Sequence, residues 1–220
     1  MLQSSVYEHL KNAILAGELD FDTIYSETKV ASSLSVSRTP VRDAVMRLHQ
    51  ERYVDILPSR GFMLHKPTME DLRLAHQIRS AVETYCALAL YAERESPAAR
   101  RCIASMRDYC LSQARLADDE VGRFWQLDIA FHRQIVGYVK NETFDTLINN
   151  YMHFFTAMPV SSFITDRRKD STIREHMAML EAIESGTQDE VREAVQRHTD
   201  ESLATILHMQ RESSQKAREA

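Results

Sequence analysis

The stretch Val36-Ser37-Arg38-Thr39-Pro40-Val41-Arg42-Asp43-Ala44-Val45-Met46-Arg47-Leu48 decides how the first part of the chain folds. Ser37 is a suitable helix N-cap, and Pro40 falls in the first turn, where its missing N–H costs nothing. Stepping about 100° per residue from this start puts Val41, Ala44, Val45 and Leu48 on one side of a helix. Arg38, Thr39, Arg42 and Met46 fall on another side. The apolar side predicts an anchored helix. The other side presents two guanidinium groups one turn apart at the end that a recognition helix pushes into the DNA major groove. Arginine forks match guanine O6/N7 or phosphate oxygens, and the Ser37 and Thr39 hydroxyls suit adjacent phosphates.

Upstream of this run, Val6, Leu10, Ala13 and Ile14 form one stripe of a helix over Gln3–Ala16, with Gly17 as its stop. A short helix from about Ser26 carries Val30, Ala31 and Leu34 inward. Downstream, Tyr53-Val54-Asp55-Ile56-Leu57 and Phe62-Met63-Leu64-His65 are β-prone runs separated by Pro58-Ser59-Arg60-Gly61, the pattern of a hairpin. Three helices followed by a hairpin predict a winged helix-turn-helix over residues 1–66, with Arg60 at the wing tip, in reach of flanking DNA. Lys66-Pro67 breaks the chain, and Thr68 with Asp71 is a capping pair for the next helix.

From Met69 onward no strand pattern occurs. Helical spacing covers Met69–Glu95, Pro97–Ala117, Val121–Val139, Glu142–Met158, Thr172–Ser185 and Asp189–Arg211, with breaks at Ser96-Pro97, Asp118-Asp119, Asn141, Pro159 and Gly186. Short links between long amphipathic helices predict an antiparallel all-α bundle over 67–211. Residues 212–220 are expected to be a disordered tail. The fold class is therefore mainly α.

The formal net charge of −5 would disfavour nucleic acid if it were evenly spread. Between Thr28 and Lys66, however, seven basic residues face three acidic ones, a balance of +4 that leaves −9 on the remainder. A basic module on an acidic body suits DNA binding joined to a second task. No apolar run approaches the roughly 20 residues of a membrane span, and the N-terminus lacks a signal-peptide pattern, so a cytoplasmic protein is expected. Cys86, Cys102 and Cys110 are odd in number and lack CxxC spacing, which predicts reduced core thiols.

Asp128 and His132 lie four apart on one predicted helix face with apolar neighbours. His176 and His198 fall on two later helices. Three imidazoles and a carboxylate from three helices can converge on a divalent transition metal in a bundle core. Spacing alone supports only the i, i+4 pair, so core or surface histidines remain an alternative at this point. Arg79 and Glu83, also four apart, read on spacing alone as an ordinary helix salt bridge.

The string Ser37-Arg38-Thr39-Pro40-Val41-Arg42, with Tyr53-Val54 and Ser59-Arg60-Gly61, resembles the winged-helix domain of the GntR family of bacterial regulators, over about Ser5 to Lys66. The resemblance implies DNA contacts from Arg38, Thr39 and Arg42 and from Arg60 and Gly61 at the wing. Three positions depart from the family pattern. Thr28 stands where a basic residue is usual, with Lys29 beside it as a substitute; Phe21-Asp22 replaces a Pro-Gly pair; and Arg52 lies where a glycine is common. Beyond Met69, the segments around Asp128-His132, Glu175 to Ile183 and Arg197-His198 are similar to the FCD ligand-binding domain of the FadR subfamily, to about His208.

In metal-binding members of that subfamily the matching positions carry the ligands, which here are Asp128, His132, His176 and His198. The implied cofactor is a divalent transition metal, zinc foremost, with nickel or manganese as other choices. Arg79 matches an arginine that faces the metal and effector cavity, and Asn150 stands on the helix where other members place a basic residue. The resemblance thus implies a homodimeric regulator that binds a pseudo-palindromic operator in double-stranded DNA and responds to a small organic acid. Two other readings stay open here: a C-terminal domain that only dimerises or takes an acyl ligand without metal, and a metal-dependent enzyme.

Overall fold

The computed structural model describes residues 2–15, 18–156 and 166–219. They divide into two compact units, Met1–Thr68 and Met69–Ala220. The stops expected at Gly17 and Pro159 lie outside the described residues.

In the first unit, α1 (Leu2–Leu15), α2 (Glu27–Ser33) and α3 (Arg38–Gln50) precede a hairpin of β1 (Val54–Leu57) and β2 (Gly61–Leu64). The strands pair antiparallel, with Val54 opposite Leu64 and Leu57 opposite Gly61. The core forms where the apolar stripes meet: Val6 and Leu10 from α1, Ala31 from α2, Val41, Ala44, Val45 and Leu48 from α3, and Val54 and Phe62 from the wing. This is the winged helix-turn-helix expected from the sequence. The wing is anchored at its base by a short bridge in which Tyr25 and Phe62 exchange both backbone hydrogen bonds. Gly61 is required there, since a Cβ would stand 2.1 Å from the Tyr25 carbonyl oxygen and its φ is +124°.

A polar lock ties α1 to the end of α3. Glu51 accepts hydrogen bonds from the Tyr7 hydroxyl, from Lys11 Nζ at 2.9 Å and from Arg47 Nε at 3.0 Å. The Arg47 guanidinium also lies over the Tyr7 ring, 3.7 Å from its centroid. Burial raises the Glu51 carboxyl, but the Tyr7, Lys11 and Arg47 hydrogen bonds outweigh it and hold the group below the usual carboxylate range.

The second unit contains α4 (Met69–Ala92), α5 (Pro97–Gln113), α6 (Val121–Tyr138), α7 (Glu142–Thr156), α8 (Asp166–Ser185) and α9 (Gln188–Glu219). Its core gathers Leu72, Cys86 and Leu90 of α4, Met106 of α5, Phe131 and Ile135 of α6, Met179, Leu180 and Ile183 of α8, and Val191 and Val195 of α9. All three cysteines are free and buried, and burial pushes Cys86 and Cys110 up to about 12. Among the described residues no helix is long and apolar enough to cross a membrane.

Helices α4 and α5 end at Ala92 and Gln113, a few residues before the expected Glu95 and Ala117, and two other boundaries differ by more. Helix α8 begins at Asp166 rather than Thr172, because Arg168 and Lys169 carry no apolar rhythm yet are held by side-chain bonds. Lys169, which is buried, donates to the Asp118 carbonyl at 2.7 Å and so fastens α8 to the α5–α6 link. Helix α9 continues to Glu219, through the segment expected to be a disordered tail. That segment holds Gln, Arg, Glu, Lys and Ala with no glycine or proline, so propagation of an existing helix is favourable.

Arg52, which replaces a glycine common in similar winged helices, has φ +60°. A left-handed conformation costs an L-residue roughly 1–2 kcal/mol, against about 0.5–1 kcal/mol of extra chain entropy lost by glycine. Arg52→Gly is therefore expected to stabilise the first unit by ~0.5–1 kcal/mol, measured as a higher urea midpoint; a lower midpoint would mean that the arginine side chain holds more than its backbone costs.

Candidate functional site

The N-terminal unit displays its charged face as the periodicity demands. On α3 the residues Val41, Ala44, Val45 and Leu48 are buried, while Arg38, Thr39, Arg42 and Met46 are exposed. Ser37 occupies the N-cap position with extended backbone, and its hydroxyl makes no capping bond. Arg38 lies 3.6 Å from Glu27 with its side chain 68% exposed, a contact loose enough to yield to a phosphate. Lys29 on α2 and Arg60 at the wing tip are exposed as well, and Gly61 opens β2. One helix N-terminus, one neighbouring helix and one wing thus offer cations and hydroxyls to a polyanion.

The second unit does the opposite and buries its polar groups. Asp128 and His132 come from α6, His176 from α8 and His198 from α9; the three histidines are at most 1% exposed and Asp128 4%. His132 Nε2 lies 3.2 Å from His176 Nε2 and 3.1 Å from His198 Nε2. Asp128 Oδ1 stands 3.6 Å from His176 Nε2, and Oδ2 3.9 Å from His132 Nε2. The four residues singled out in the sequence are therefore brought to one point.

Carboxylates behind the rings fix their tautomers. His132 Nδ1 donates to Glu83 Oε2 at 2.8 Å, and His198 Nδ1 donates to Glu175 Oε2 at 2.9 Å. Each of these rings must then carry its lone pair on Nε2, facing the centre. Phe131 stacks on His176 at 4.0 Å between centroids and orients that ring by packing. Burial drives all three imidazoles well below the ordinary histidine value, with Arg79 acting in the same direction, so they are neutral. Burial also pushes the Asp128 carboxyl up to about 6, against the pull of Arg79.

Arg79 forms the helix salt bridge with Glu83 and also reaches the histidines. Its Nε donates to Glu83 Oε1 at 2.8 Å, the i, i+4 pair, while its Nη2 donates to His132 Nε2 at 2.6 Å and His198 Nε2 at 2.9 Å. Glu83 thus serves an arginine and a histidine at once. Asn150, half-buried on α7, makes no hydrogen bond to this cluster among the described residues. Sequence reasoning missed the role of Glu175 and the part of Arg168, whose Nη1 donates to Glu175 Oε1 at 2.7 Å and braces it. Their only local signal is the i, i+7 spacing on α8. Other histidines have ordinary roles: His49 bonds the Val54 carbonyl, and His65 and His76 pair with Asp55 and Asp200.

The two units match two known families. Residues 2–64 match the bacterial regulatory proteins of the gntR family, and residues 75–201 match the FCD domain. The chain is a GntR-family transcriptional regulator with an FCD domain. The HTH-type transcriptional repressor RspR of Escherichia coli is 25% identical over 215 residues, covering 97% of this chain and 92% of RspR. The Nta operon transcriptional regulator of Aminobacter aminovorans is 27% identical over 188 residues, covering 82% of this chain and 85% of its own. A GntR regulator from Rhodococcus sp. RHA1 superposes with a TM-score of 0.73 at 20% identity, over 94% of this chain and 97% of that one, which shows a shared fold. The regulator is thus a DNA-binding protein with a ligand-binding domain, and not an enzyme.

Glu83→Ala should leave a buried guanidinium and a buried imidazole N–H without their carboxylate. A loss of ~3–5 kcal/mol of stability is expected, read by chemical denaturation of the second unit. Glu83→Gln keeps an acceptor for His132 Nδ1 and should lose less; equal losses would make the charge, and not the tautomer, what Glu83 supplies.

Proposed function

We propose that this regulator responds to a small organic acid bound at a divalent metal ion held by Asp128, His132, His176 and His198. The observation that carries the reading is the convergence of the His176 and His198 Nε2 atoms on His132 Nε2, at 3.2 and 3.1 Å. Zn–N bonds of about 2.0–2.1 Å require nitrogens about 2.9–3.4 Å apart, depending on geometry. Carboxylates on the outer nitrogens are the usual second support of metal-binding histidines. The buried Asp128 Oδ1 has no hydrogen-bond partner, as expected of an atom kept for a ligand. Charge balance agrees: Arg79 offsets Glu83 and Arg168 offsets Glu175, which leaves Asp128 to favour a cation.

The donor set of three imidazoles and one carboxylate suits zinc best, and also nickel or manganese. When bound, such an ion supplies a Lewis-acidic position for an acid's carboxylate. Arg79 would fork to a second carboxylate or hydroxyl of the acid, and Asn150 would add a contact from α7. We place the protein in the metal-binding branch of the FadR subfamily, acting as a cytoplasmic homodimer on a pseudo-palindromic operator. Effector and DNA affinities are then coupled reciprocally, by ~1–3 kcal/mol in typical cases.

Arg38→Ala and Arg42→Ala should each weaken operator binding by ~1–3 kcal/mol, and Lys29→Ala should mainly flatten the salt dependence. Gel-shift titration at two ionic strengths separates these effects, and wild-type affinity in the double arginine variant would remove α3 as the reading element. For the metal, elemental analysis of purified His132→Ala, His176→Ala and His198→Ala should show loss of most of the ion found in wild type. Calorimetry with lactate, gluconate and citrate, with and without operator, then tests the acid; binding of an acid that ignores metal removal would sink that part of the reading.

A further inference from the structure

Arg79 occupies the lone pairs that a metal ion would need. A neutral imidazole has one in-plane lone pair, on the nitrogen that lacks the proton. Glu83 and Glu175 keep the protons of His132 and His198 on Nδ1, so each ring's lone pair lies on Nε2. Both lone pairs already accept from Arg79 Nη2, at 2.6 and 2.9 Å. Neither nitrogen can take an N–H and a metal at the same time. A guanidinium also cannot lose its proton to make room, because its pKa is above about 12.

We propose that Arg79 and a divalent metal ion are alternative occupants of His132 and His198, with the guanidinium a built-in competitor that sets how tightly the cluster binds metal. The proposal rests on the reading of the cluster as a metal site. Glu83 is built for such an exchange. One oxygen, Oε1, holds Arg79 Nε, while the other, Oε2, holds His132 Nδ1. The guanidinium can therefore swing off the histidines about its Nε–Glu83 contact while the carboxylate keeps the His132 lone pair aimed inward. The exchange gives up two charge-assisted hydrogen bonds and leaves the tautomers as they were.

Zinc affinity measured by competition with a chromophoric chelator tests this in the full chain, for wild type, Arg79→Met and the double variant Arg79→Met with Glu83→Gln. The double variant removes both members of the buried ion pair, which protects the fold. A neutral residue at position 79 should tighten zinc binding roughly tenfold or more, the worth of the surrendered hydrogen bonds. In wild type, nitrogen-15 NMR of the Arg79 side chain should show its bonds to the histidines lost on adding zinc. Variants that bind zinc no tighter than wild type, or arginine–histidine bonds that persist in zinc-loaded protein, would overturn the competition while leaving the metal site standing. Zinc binding by none of the three proteins would remove the metal reading itself, and this proposal with it.

Discussion

Each buried imidazole of the second unit has one lone pair to give, and the surrounding helices are arranged around where that lone pair points. Polar groups taken out of water must be bonded or they cost more than the packing they displace. Six ionisable groups, Arg79, Glu83, Asp128, His132, His176 and His198, are buried together in a bundle whose other interior residues are largely apolar. Glu83 and Glu175 make the burial tolerable by fixing two protons on the outer nitrogens. From that constraint follow the inward lone pairs, the neutral state of the rings and the use to which Arg79 is put.

The first unit is governed by a different rule, because its working groups stay in water. An exposed arginine needs no partner in the free protein, so α3 requires only an apolar back and a rigid mount. The back is Val41, Ala44, Val45 and Leu48; the mount is the Glu51 lock to Tyr7 and Lys11 together with the Tyr25–Phe62 bridge that holds the wing. Rigid placement matters more here than bond strength, since phosphate contacts set register on the duplex and base contacts are made only from that register.

Legibility in the sequence tracks the range of the interaction. The buried and exposed sides of α3 follow from a local period, and the structure distributes them as that period requires. Asp128 and His132 were legible as a pair because one helical turn joins them. Their meeting with His176 and His198 spans 44 and 66 residues from His132, a separation no local pattern encodes, and only the family resemblance pointed to it. Glu175 was hidden by its position: it precedes His176 in the chain but serves His198, 23 residues away on the next helix. The segment after residue 211 lacks an apolar rhythm, but absence of rhythm is not absence of helix, since a run without glycine or proline prolongs a helix already nucleated by packing.

The buried cluster draws one member or more from each of α4, α6, α8 and α9: Arg79 and Glu83, Asp128 and His132, Glu175 and His176, and His198. Any occupant that bonds to several of these groups therefore joins four helices, and its binding free energy depends on their mutual spacing at the level of tenths of an ångström. Packed interiors do not deform continuously; they settle into discrete arrangements. A change of occupant, from the guanidinium that bridges two rings to a metal ion that His132, His176, His198 and Asp128 would hold, would therefore favour one helical arrangement over another by the difference in those bonds. A ligand shifts a conformational equilibrium only through such a difference. The exposed arginines of the first unit bridge no comparable set of helices, so on the proposed reading the regulator keeps its DNA-facing groups in water and the groups that would sense a ligand out of it.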